Sequence, residues 1–111
     1  MKECSEISGF IAFGDFDELE EWFKKLADNQ EEEFNDDLCV EGNSGLTYRR
    51  VKNWVNYAGV ENVYFEKRGF EHGVLDEFYF DLKNAKHEGW ADFSSADEIT
   101  VENGFLRVWF D

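Results

Sequence analysis

An α+β domain is predicted for this chain, with a mostly antiparallel sheet of about five to six strands and two amphipathic helices packed on one face. Three features lead there: two segments with apolar residues at helical spacing, several short aromatic and β-branched runs bounded by turns, and an Asn103-Gly104 pair between the last two runs. No internal repeat, proline or Ser/Gly-rich linker divides the sequence, so residues 1–111 are read as a single α+β domain.

The first element is a strand over 10–13, where Phe10, Ile11, Ala12 and Phe13 lie between Gly9 and Gly14. A helix over 16–28 follows. Asp15 is placed to cap it, Glu18 sits three residues on as in a capping box, and Phe16, Leu19, Trp22, Phe23, Leu26 and Ala27 form one stripe. Glu20 with Lys24 and Glu21 with Lys25 have the favourable i,i+4 orientation. Residues 29–37 have no apolar periodicity and read as a loop or frayed extension, and Phe34 stands alone within it, either anchoring the loop or offering an aromatic contact. Residues 38–40 are a short strand candidate and 42–45 a turn by composition.

Tyr48, Val51, Trp54, Val55 and Ala58 mark a second helix over 47–58 that ends at Gly59. Arg49, Arg50 and Lys52 on its outer face form a basic cluster whose expected role is to offset neighbouring carboxylates. Residues 63–65 read as a strand and 67–73 as a loop. Residues 77–82 read as a returning strand through their aromatics, although Leu75, Phe78, Leu82 and Ala85 also fit a helix. Residues 84–96 form a longer connection with Trp90 and Phe93. The runs at 99–101 and 105–109 flank Asn103-Gly104, which suits a type I′ turn because both central residues need positive φ.

Hydrophobic residues make up 42% of the chain, with twelve Phe, four Trp and four Tyr, a composition that argues against disorder despite a net charge of −15. Two cysteines, Cys4 and Cys39, are too few for a disulfide framework, and both are expected reduced and packed as small apolar groups. Met1 opens into a polar, acidic stretch without the charge and apolar pattern of an export signal, so the cytoplasm is the expected location. The longest apolar run, 10–13, is far below the roughly twenty residues that span a bilayer.

Chemistry-bearing motifs are missing. His72 and His87 belong to no metal-ligand spacing, and no nucleophile signature surrounds either cysteine. Residues 31–37 lack the ligand pattern of a calcium loop, and 42–45 lack the GK[ST] of a phosphate loop. No catalytic, cofactor or metal residues are therefore assigned. Adjacent acids such as Asp36-Asp37 and Asp97-Glu98 carry no weight in a chain with 26 carboxylates.

The acidic surplus is concentrated. Residues 15–41 hold twelve carboxylates against Lys24 and Lys25, about ten of the fifteen net charges. Asp15, Asp17 and Glu18 are partly accounted for by the positive end of the first helix. The remainder would repel nucleic acid and anionic lipid and attract a basic protein surface. In this segment and its aromatic content, the chain resembles small acidic bacterial immunity proteins that neutralise nuclease toxins, and DNA-mimic inhibitors of restriction or RNA-guided nucleases. The resemblance is one of class, without a diagnostic motif. It implies a non-enzymatic inhibitor, a monomer or weak dimer, whose partner is a basic protein such as a nuclease toxin. The candidate contacts are Glu31, Glu32, Glu33, Asp36 and Asp37, then Asp17 and Glu21 as secondary ones, with Phe34 as an aromatic anchor. An acidic structural or adaptor domain with an apolar or strand-edge interface, and a small carboxylate enzyme, are the competing classes.

Overall fold

The computed structural model describes residues 1–40, 46–72, 74–85, 93 and 96–110. Among these, six strands form one sheet: β1 (Lys2–Glu3), β2 (Phe10–Ala12), β3 (Val63–Glu66), β4 (Glu77–Asp81), β5 (Glu98–Glu102) and β6 (Phe105–Trp109). Their spatial order is β1-β2-β3-β4-β6-β5, and each neighbouring pair is antiparallel. Three helices accompany them: α1 (Phe16–Asn29), α2 (Tyr48–Ala58) and the short α3 (Lys67–His72). A 3₁₀ turn, Val60–Asn62, links α2 to β3.

The predicted fold class is the observed one. Period-two burial decides β4, where Phe78 and Phe80 are fully buried among the helix-side core and Tyr79 faces the other cluster. Leu75, buried just before the strand, is what made a helical spacing fit as well. On the helix side, Ile11, Val63, Phe65, Phe78, Phe80 and Val108 of the sheet meet Leu19, Phe23 and Leu26 of α1 and Val51, Trp54, Val55 and Ala58 of α2. The contacts are largely aromatic. Phe23 meets Phe65 at 6.2 Å between centroids, and Trp54 lies 4.9 Å from Phe93, 5.7 Å from Phe78 and 6.0 Å from Phe110. The opposite face carries a smaller cluster of Cys4, Phe10, Ala12, Tyr64 and Phe105, edged by Ile7 and Tyr79.

Asp15 accepts a hydrogen bond from the Glu18 amide at 2.8 Å, which caps α1 as its sequence requires. Thr47 does the same for α2 through the Arg50 amide at 3.3 Å, so the helix proper begins one residue later than the expected 47. Asn103 and Gly104 have φ of 51° and 82°, as the type I′ turn demands, and the β5–β6 pairing begins a residue earlier than expected, at Glu98.

Several expectations need correcting. Residues 67–72 form α3 rather than a loop. Gly69 makes it fit, because a Cβ there would collide with the Val74 carbonyl oxygen, whose own amide donates to the Gly69 carbonyl at 2.9 Å. The strand proposed at 38–40 reduces to one bridge, Cys39 with Thr47. β1 has no counterpart in the sequence reading. Phe16 remains 39% exposed at the start of α1, and Cys39 is exposed rather than packed, with no disulfide to the buried Cys4. The turn at 42–45, His87 and Trp90 lie outside the described residues.

Candidate functional site

The exposed ridge of α1 carries Asp17, Glu21, Lys24 and Asp28, spaced i, i+4, i+7 and i+11 opposite the buried stripe. Lys24 pairs with Glu20 at 3.9 Å and lies 5.9 Å from the Phe34 ring centroid. The expected Glu21–Lys25 pair does not form. Lys25 sits instead over Trp22, 4.8 Å from its centroid, leaving Glu21 without an ion pair among the described residues. Asp28 extends the ridge and was not among the expected contacts. It falls on the same face as Asp17 and Glu21, a signal the i+4 and i+7 spacing contained.

The chain leaves α1 through a Schellman turn. Glu32 donates its amide to the Ala27 carbonyl at 2.9 Å and Glu31 donates to Asp28 at 3.1 Å, which places Glu31 in the left-handed region with φ 57°. Glycine or asparagine normally occupies that position. Glu31, Glu32 and Glu33 are all exposed and have no ion pair among the described residues. They also crowd the negative end of the helix dipole, and the last turn of α1 carries no basic residue. Two local rules are thus broken at one place. Replacing Glu31 with glycine is therefore expected to stabilise the chain by about 1 kcal/mol, read from the midpoint of urea unfolding at unchanged slope.

Asp36 and Asp37 differ. Both reach Arg49, at 3.9 and 3.3 Å, and Asp36 also accepts the Arg49 amide at its carbonyl at 2.8 Å. The first turn of α2 lacks an acidic residue of its own, so these two carboxylates balance both the arginine and the positive helix end. The basic cluster thus offsets carboxylates through Arg49, whereas Arg50 and Lys52 lie over the rings of Trp54 and Tyr48.

Asn35 braces the loop, donating to the Glu33 carbonyl at 3.0 Å and accepting the Asp37 amide at 2.8 Å. Phe34 packs edge-on against Tyr48, 4.9 Å between centroids, and is half-buried, so it holds the loop to the core. Burial, reinforced by the charges of Glu20 and Asp36, pushes the Tyr48 hydroxyl up to about 12. The structure therefore gathers residues 31–37 into one braced acidic surface continuous with the α1 ridge. Among the described residues, Glu31, Glu32 and Glu33 are the carboxylates within it that no ion pair of the fold uses.

A cleft of about 260 Å³ lies elsewhere, lined by Glu66, Arg68, Gly69, His72, Val74 and Asp76. Burial and then the Asp76 and Glu77 charges raise the pKa of Glu66. Among the described residues no Ser, Thr or Cys lines this cleft, so it offers no nucleophile of that kind. Among the described residues no group of three or more His, Cys, Asp or Glu is arranged to hold a metal ion, and no helix is long and apolar enough to cross a membrane. In comparisons with protein-family models, curated proteins and solved structures, nothing matches this chain.

Proposed function

We propose that this chain is a non-enzymatic acidic inhibitor of the immunity-protein or antitoxin kind, acting in the cytoplasm on a basic protein, most simply a nuclease toxin whose nucleic-acid-binding cleft it occupies. The observation that carries this reading is the local cost at residues 31–33. Three exposed glutamates stand where the helix dipole disfavours them, one of them on backbone that disfavours it, with no compensating partner among the described residues. Charge retained against local stability is accounted for by a use outside the fold. A nuclease cleft lined with Lys and Arg supplies that use, because a braced anionic surface steers encounter and forms charge-assisted hydrogen bonds once water is displaced.

The test is capture of partners from the source cells, followed by assay of each captured protein. A basic nuclease that loses activity on stoichiometric addition of the chain, with an association rate that falls as salt rises, is the expected result. Captured proteins without nuclease activity, or inhibition indifferent to salt, would remove the proposal.

A further inference from the structure

The two edges of the sheet are built differently. β1 is two residues long, and its Lys2 ammonium lies over the Tyr64 ring at 5.6 Å, so this edge is short and charged. β5 runs for five residues in unbroken register with β6, without proline, lysine or bulge. The two-residue turn makes Glu102 and Phe105 the closing hydrogen-bonded pair. Alternation from that pair turns the peptide groups of Glu98, Thr100 and Glu102 toward β6 and those of Ile99 and Val101 outward. Ile99 and Val101 share the helix-side face with their cross-strand partners Val108 and Leu106, yet are 48% and 65% exposed, so the helical cover stops short of them. On the other face Glu98 pairs with Arg107 at 2.8 Å, and Glu102 is exposed without an ion pair among the described residues.

From this geometry we infer that β5 is a docking edge for an extended segment of a partner protein, in which basic residues alternate with apolar ones. The basic side chains would face Glu98 and Glu102 and the apolar ones would continue the Ile99–Val101 face, while backbone hydrogen bonds form at Ile99 and Val101. Charge selects this occupant over a second copy of the chain. The self-paired register that matches the outward peptide groups, centred on Thr100, sets Glu98 opposite Glu102 at both ends, between two molecules of net charge −15. The inference rests on the inhibitor reading for the basic character of the partner, and adds to the contact at residues 31–33 a second one, made by an extended segment of that partner.

The full chain and a capped peptide of alternating lysine and valine, about seven residues long, provide the test, with a block-ordered peptide of the same composition as control. Amide NMR shifts should report the alternating peptide at Ile99 and Val101. Val101→Pro, which removes an outward N–H and no bond to β6, should weaken it about tenfold, and block order should weaken it as much. Glu102→Lys leaves the Arg107–Glu98 pair in place and should favour a glutamate–valine peptide instead, so the question stays decidable if proline disturbs the hairpin. Equal binding of both peptide orders, or wild-type binding by both variants, overturns the inference. A dimer of the chain alone that Val101→Pro disperses would assign the edge to a second copy and overturn it too. Binding lost only on reversal of residues 31–33 would sink the edge and leave the inhibitor function standing. Edge binding as expected with no basic nuclease inhibited would support the edge and remove the inhibitor reading.

Discussion

Replacing Glu31, Glu32 and Glu33 together with lysine is expected to weaken binding of a basic partner by about a thousandfold while making the chain itself more stable. The two signs have one cause. Each carboxylate at the exit of α1 faces the partial negative charge of the helix end, so a lysine there should gain a few tenths of a kcal/mol by about the same interaction with its sign reversed. Toward a cationic cleft the change is far larger. A truncated central charge at a hot spot typically costs about 2 kcal/mol, and reversal adds repulsion to that loss. Titration calorimetry against the captured partner and urea unfolding of the free chain measure the two halves. Asp36 and Asp37 supply the contrast, since their substitution should loosen Arg49 and lower stability. Undiminished affinity in the triple variant would place the interface elsewhere.

Trp54→Ala is expected to cost about 3 to 5 kcal/mol, a large part of the roughly 5 to 15 kcal/mol that holds a typical small domain together. Trp54 is 3% exposed and touches Phe78 and Phe80 of β4, Phe93, and Phe110 beyond β6. Its removal therefore detaches α2 from the sheet at several points and leaves a space these rings cannot fill without moving. Trp54→Phe, which keeps part of the ring contact, should cost less. Denaturant unfolding of the two variants distinguishes a packing role, where the loss tracks the volume removed, from an incidental one, where alanine and phenylalanine behave alike.

α1, α2 and the last hairpin were legible in the sequence because each rests on local rules. Asp15 and Thr47 cap through their own side chains, the apolar stripes of α1 and α2 repeat at helical period, and Asn103-Gly104 supplies two positive φ angles. α3 was not legible, since Lys67–His72 lacks a stripe and contains Gly69, whose value shows only where the chain returns past Val74. β1 is two exposed residues and exists only through its pairing with Ile11 and Ala12. At the candidate site, charge density singled out residues 31–37. It could not separate Asp36 and Asp37, both tied to Arg49 of the next helix, from the uncompensated glutamates before them. Nor did it reveal that Glu31 stands in a left-handed turn, because the residue that normally advertises such a turn is absent.

The bracing around Asn35 has a thermodynamic consequence for any complex. The acidic segment is held by the Schellman turn at one end, by the Leu38 and Arg49 contacts at the other, and by Phe34 on Tyr48 between them. Docking onto it would freeze side-chain rotors but little main chain, so the entropic penalty of association stays small and the surface can engage as a preorganised template.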